Sequence, residues 1–252
     1  MPAFHLGRRH FLLMLIFGAT SLGPIGCGGK SDGGTTIGAV DAAKQHSTMK
    51  QDANGSQPSV ASAGSAQTPP GAPPRDRQAE DADLAAIARL EGRVESDGPD
   101  RTVVKVDLGR PRVTDGDLVH LKLFTNLQEL GLHAPYVTDA GLQHLQGLTN
   151  LRVLDLNFTS ISGPGLVHLR GMSRLQELDL GSSHLQDAGL EYLKGLTQLQ
   201  TLNLKLTAVS DAGLEHLKAL LNLEQLDVRL TRVTEAGVQK LKQALPKVRI
   251  EY

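Results

Sequence analysis

Apolar and polar residues alternate in short runs that return at one fixed spacing. Residues 151–156 read Leu-Arg-Val-Leu-Asp-Leu, with copies at 127–132, 175–180, 199–204 and 223–228, each offset by 24 residues, and a degenerate first copy at 103–108. A constant period of this size predicts a solenoid of stacked supersecondary units. The two halves of each unit have different rhythms. Leu130 and Leu132 alternate as in a strand, whereas Leu142, Leu145 and Leu148 recur every third residue as in a helix or helical turn. Each repeat is therefore expected to run strand, turn, helical segment, return.

Local signals support this division. Thr114-Asp115, Thr138-Asp139, Ser210-Asp211 and Thr234-Glu235 mark helical starts, where a hydroxyl caps and an acid meets the helix dipole. Glycines 141, 165, 189, 213 and 237 recur in the first turn and are read as permitting close approach of neighbouring backbones. Before the repeats, Leu84, Ile87 and Leu90 follow Glu80, Asp81 and Asp83, which predicts a short amphipathic helix. With Val94 and the turn-like Ser96-Asp97-Gly98-Pro99, it forms an expected cap over 79–102, because the end of a stacked core would otherwise face water. Six repeats over 103–246 follow, and Val248, Ile250 and Tyr252 suggest a closing strand over 247–252.

The spacing of Leu151, Leu154, Leu156, Thr159 and Ile161 resembles the leucine-rich repeat family, in the 24-residue, ribonuclease-inhibitor-like form. That resemblance implies an α/β fold, a curved solenoid with its parallel sheet concave and its helices convex. Pro111, Pro135, Thr159, Ser183, Thr207 and Thr231 stand where the family commonly has asparagine or cysteine, so an asparagine ladder is absent. Hydroxyls there can still bond turn backbone, but prolines cannot.

The amino-terminal part has a different character. Residues 1–26 resemble an export signal, with Arg8 and Arg9 ahead of an apolar run at 11–17 that is too short to span a bilayer. Arg8-Arg9-His10-Phe11-Leu12 is compatible with a twin-arginine or a general export route. Pro24-Ile25-Gly26-Cys27 resembles the lipobox of bacterial lipoproteins, with proline where leucine is usual, which implies lipidation of Cys27. Cys27 is the only cysteine, so no intramolecular disulfide is available. Residues 27–78 are rich in Gly, Ser, Ala, Gln, Thr and Pro, and read as a disordered linker between anchor and repeats. About 50 such residues have a mean end-to-end reach of about 40 Å. A net charge of -1 gives no overall basic excess pointing to nucleic acid.

Candidate chemistry lies on the strand positions between the leucines. One repeat is one strand spacing, about 4.8 Å, so each position becomes a ladder. The candidate protein-binding ladders contain Glu129, His133, Asp155, Asn157, Glu177, Asp179, Asn203, Lys205, Asp227 and Arg229. This pattern predicts an acidic centre and a basic carboxyl-terminal end, with Arg152 and Arg174 relieving the acids unless a basic partner does. His120, His144, His168 and His216 share another column, but repeats there are spread roughly 8–10 Å apart by helix packing, so no metal is expected. No cofactor or catalytic constellation is evident, and no phosphate loop, nucleophile elbow or zinc-binding histidine pair occurs.

The sequence thus points to a noncatalytic, exported, membrane-anchored monomer that binds a protein partner through its concave face. A passive structural envelope module remains open. So does an F-box-like adaptor of ubiquitin ligation, although no adaptor-docking domain precedes the repeats and the export signal opposes that compartment.

Overall fold

The computed structural model describes residues 77–109 and 111–252, all within one compact unit, Ala66–Tyr252. The export signal, Cys27 and residues 27–76 of the expected linker lie outside the described residues. Helix α1 spans Arg77–Arg89, so its first turn takes in the last two positions of that linker. Ile87 is its buried anchor, 1% exposed, and Leu84 and Leu90 pack beside it. The chain then forms a hairpin of β1 (Arg93–Asp97) and β2 (Thr102–Asp107).

From β2 onward one register governs the sheet. Strands β3 (Glu129–Gly131), β4 (Val153–Asp155), β5 (Glu177–Asp179), β6 (Thr201–Asn203), β7 (Gln225–Asp227) and β8 (Arg249–Glu251) follow in spatial order. All pairs after the first hairpin are parallel, with Leu130, Leu154, Leu178, Leu202, Leu226 and Ile250 aligned across them. Each of these leucines is at most 1% exposed, so the period-two rhythm places them in one continuous aliphatic core. By contrast, the intervening positions face solvent or are half-buried, apart from the buried Asp227.

The return side differs from the expected row of helices. Asp115–Leu121, Gly141–Leu145, Pro164–Leu169 and Asp187–Gly195 are 3-10 segments. In the next repeat a four-residue α2 (Asp211–Leu214) runs into the 3-10 segment Glu215–Ala219. Only α3 (Glu235–Ala244) is a sustained α-helix there. The apolar spacing explains the difference. Buried Leu142, Leu145 and Leu148 recur strictly every third residue, which matches three residues per turn; in α3, Val238, Leu241 and Leu245 are spaced three and then four apart.

Candidate functional site

A second ladder, unrelated to the sheet, joins the helical starts. Asp139 accepts the backbone N–H and hydroxyl of Ser162 through Oδ2, at 2.9 and 2.6 Å, and the N–H groups of Gly163 and Gly165 through Oδ1, at 3.1 and 2.8 Å. Asp115 binds Thr138, Asp187 binds Ser210 and Asp211 binds Thr234, each through one N–H at 2.7 Å and one hydroxyl at 2.6 Å. The acids therefore bridge to the following repeat, where the sequence had suggested only a dipole partner. Hydroxyl capping persists beside this role, since Thr138 accepts from Ala140 N–H at 3.2 Å and Ser210 from Ala212 N–H at 3.3 Å.

The breaks in this ladder are matched. The third repeat has Gly163 in place of the acid, and the fourth has Gln186 in place of the hydroxyl. Thr114 has no preceding repeat, and Asp117 of its own repeat accepts both its N–H and its hydroxyl at 2.8 Å. The recurring glycines fit the same geometry. A Cβ on Gly165 would meet the Asp139 backbone oxygen at 2.5 Å, and one on Gly213 would meet Asp187 Oδ1 at 2.5 Å. Close approach is thus required, chiefly because an aspartate occupies the space.

On the sheet face, a third set of bonds organises the candidate residues. Asp155, Asp179, Asn203 and Asp227 each accept the N–H two residues ahead through Oδ1, at 2.8–3.0 Å, which closes the turn leaving the strand. Their remaining atoms join neighbours. His133 Nε2 lies 2.6 Å from Asp155, and Asn157 and Asn203 donate to Asp179 at 3.2 and 2.9 Å. Glu129 pairs with Lys105 at 2.9 Å. Arg152 and Arg174 do not perform the relief expected of them. They line a separate groove at the strand starts, and histidine and amides serve the acids instead.

The expected basic end is also modified. Arg229 clasps the buried Asp227 and reaches Glu251 at 3.0 Å, so its charge is matched. Lys205 and Glu177 remain without a side-chain bond among the described residues. Burial, and after it the Glu129 carboxylate, raises the Glu177 carboxyl above its ordinary range. Asp179 is raised too, chiefly by burial, against hydrogen bonds from Asn203, Gly181 and Asn157. The bond to Asp155 raises His133, against burial.

The turns leaving the strands hold a feature that sequence reasoning missed. Phe158, Ser182, Leu206 and Leu230 adopt left-handed backbone, with φ of 57, 52, 57 and 57°. This turn sends the next hydroxyl inward, where Thr159, Ser183 and Thr207 donate to the carbonyl three residues back at 2.6 Å. At the equivalent turn of the second repeat, Ala134 precedes Pro135, which disfavours helical backbone; Ala134 has no positive φ and is itself buried. Phe158, Leu206 and Leu230 project outward, 64, 49 and 70% exposed. Their column, Phe-Ser-Leu-Leu outside the leucine motif, was the available sequence signal.

The histidine column supplies no common centre. His120 Nδ1 lies 2.7 Å from Asp83 of α1, while His144 Nδ1 is buried without a partner. Burial, followed by Lys122, lowers the His144 pKa. Among the described residues no three His, Cys, Asp or Glu side chains converge as a metal site.

The family profile described as Leucine Rich repeat matches residues 147–169 and 173–194. Combined with the 24-residue register and the parallel sheet, that match decides the architecture. The fold is a leucine-rich-repeat solenoid. Solved structures similar to it include an internalin (inlF) from Listeria monocytogenes, at 19% identity, TM-score 0.42, covering 68% of this chain and 55% of that one. The chain therefore spans little more than half of that internalin. A leucine-rich-repeat protein from Leptospira interrogans aligns at 18% identity and TM-score 0.40, over 53% of this chain and 39% of that one. Internalin C2 (inlC2) from Listeria monocytogenes aligns at 18% identity and TM-score 0.36, over 67% and 91%. No curated protein matches the sequence.

Proposed function

We propose that this chain is a noncatalytic, exported leucine-rich-repeat protein, anchored through lipidated Cys27 and acting as a monomer. It recognises a protein partner, and not nucleic acid, with the sheet face and the apolar rim beside it. The rim carries the proposal. Bulky residues in left-handed backbone are strained by roughly 1–2 kcal/mol each, and apolar ones exposed to water add no folding benefit. Phe158, Leu206 and Leu230 break both preferences together, which is expected where a surface serves recognition rather than stability. On the sheet face itself, Glu177 offers a carboxylate with no side-chain bond among the described residues, so the favoured partner surface combines apolar side chains with a cation.

The noncatalytic part of the proposal rests on the sheet face being open and its acids other than Glu177 being engaged by neighbouring side chains and backbone. Anchoring rests on the amino-terminal sequence, and no described helix is long and apolar enough to cross a membrane. Crosslinking on intact cells tests recognition by comparing wild type with the triple variant Phe158→Asn, Leu206→Asn, Leu230→Asn. Asparagine tolerates the left-handed turn, so the variant should retain or gain thermal stability while losing the captured protein. An unchanged capture pattern would refute the recognition surface. Palmitate labelling of wild type against Cys27→Ser tests the anchor separately, and equal labelling of the two would exclude lipidation at that residue.

A further inference from the structure

At the strand starts, the β1–β2 turn and the adjoining repeats line an open groove of about 350 Å³ that includes Asp97, Asn126, Gln128, Asn150, Arg152 and Arg174. Arg174 is oriented in it, because Nη1 donates to Asn150 Oδ1 at 2.8 Å while Asn150 Nδ2 donates to the Thr125 carbonyl at 2.9 Å. The other nitrogens of Arg174 are left for a ligand. Arg152 makes no side-chain hydrogen bond or ion pair among the described residues. Asp97 is the opposing acid, and it accepts Gly98 N–H at 2.8 Å. The groove therefore offers two guanidinium groups against one carboxylate, surrounded by amides that both donate and accept.

Guanidinium groups match planar oxyanions through paired hydrogen bonds. Two features favour a carboxylate on a polypeptide over a phosphate. A single excess positive charge balances a monoanion, whereas a phosphate dianion would also face Asp97. Asn126 and Asn150 stand one repeat apart on successive turns, about 4.8 Å by strand spacing, which suits amides of an extended backbone better than a compact ion. We propose that this groove binds an acidic polypeptide segment, seating one carboxylate between Arg152 and Arg174 and its backbone amides against Asn126 and Gln128. This site is separate from the sheet face, whose Asp155, Glu177 and Asp179 would repel the same segment.

Fluorescence anisotropy of the full chain with a labelled peptide of alternating glutamate and glycine tests the proposal. Saturable binding is expected, weakened by at least about tenfold in the Arg152→Gln, Arg174→Gln double variant, the scale of losing charge-assisted hydrogen bonds. The corresponding Arg→Lys double variant should fall between them, since it keeps charge and loses the planar fork. Asp97→Asn should tighten binding by removing the opposing charge. Lys247→Gln, an exposed lysine outside both the groove and the sheet-face ladders, should leave affinity unchanged, and thermal melts of the arginine variants should match wild type. Absence of saturable binding would overturn the proposal, as would equal weakening by Lys247→Gln. Displacement by inorganic phosphate more effectively than by unlabelled peptide would also overturn it, by showing a general anion site.

Discussion

Two sets of acids run through this molecule, and the four members whose pKa departs from the ordinary value, Asp139 and Asp211 in one and Glu177 and Asp179 in the other, shift in opposite directions. At the helical starts, burial disfavours ionisation of Asp139, yet the Ser162 hydroxyl and the N–H groups of Ser162, Gly165 and Gly163 hold its pKa below the ordinary value. Asp211 is likewise lowered, first by the Thr234 hydroxyl and then by the Thr234 N–H. On the sheet face, Asp179 and Glu177 are raised, chiefly by burial. Similar residues at the same 24-residue spacing therefore do different work. Where donors surround the carboxylate, ionisation joins one repeat to the next. Where burial outweighs the donors, as at Asp179, or no donor is present, as at Glu177, the charged form is disfavoured and an incoming donor has something to gain.

The largest expected effect comes from breaking the first set. Asp139→Ala leaves four donors without their acceptor, and should destabilise the domain by about 2–3 kcal/mol after allowance for partial solvent access. Urea unfolding at neutral pH measures this. Because the folded pKa of Asp139 is depressed, its stabilisation is present above the unfolded value of 3.8 and is lost as pH falls through the folded value. Wild type should therefore weaken in acid more steeply than Asp139→Ala. A loss below about 0.5 kcal/mol at neutral pH would reduce the bridge to a surface contact of the kind that contributes little.

This first set shows where the sequence was readable. The leucine columns declare the core, because burial acts on every repeat alike and a 24-residue register follows from it. Thr138-Asp139 declared a helical start, which is its meaning inside one repeat. Its second meaning lies 23 residues away in Ser162. The available sign was the paired loss of acid at Gly163 and hydroxyl at Gln186, a correlation visible only once the bridge is known. On the sheet face, charge alone assigned Arg152 and Arg174 to the acids, because a sequence gives the column but not which edge of the strand a long side chain follows. The left-handed turns were hidden for the opposite reason. Phe158, Leu206 and Leu230 are poor residues for that backbone, so local preference argued against the conformation they adopt.

Within the second set, Asp179→Asn sharpens the comparison at a smaller cost. The amide keeps an acceptor for Gly181 N–H and removes a charge that burial disfavours, against loss of the oxygen that accepts from Asn203, so the net change in stability at neutral pH should be no more than about 1 kcal/mol. The pH dependence is the stronger readout. A carboxyl whose folded pKa is raised holds its proton more tightly when folded, so wild-type stability declines as pH rises from the unfolded value of 3.8 through the raised one. Asp179→Asn should remove that decline. His133 contributes in the same direction at higher pH, since its stabilisation is complete below 6.5 and is lost as pH rises through its raised value. His133→Asn should flatten that upper limb. A variant at Asp179 that instead steepened the acid limb would place this residue with Asp139.

Glu177→Gln is the smallest change in stability and the most selective. Its carboxylate closes no turn and holds no neighbour among the described residues, and the Glu129 carboxylate opposes its charge. Substitution should therefore shift the thermal midpoint by an amount equivalent to less than about 0.5 kcal/mol, as for surface positions without a special role. The sign should be stabilising above the raised pKa of the wild-type group, where the charge being removed is the disfavoured form. Capture of a protein partner on intact cells should nevertheless fall, because the proposed recognition needs that unpaired carboxylate as well as the apolar rim. Destabilisation beyond about 1 kcal/mol would show Glu177 to be structural, and the division between joining acids and offered acids would then fail at the residue that best expresses it.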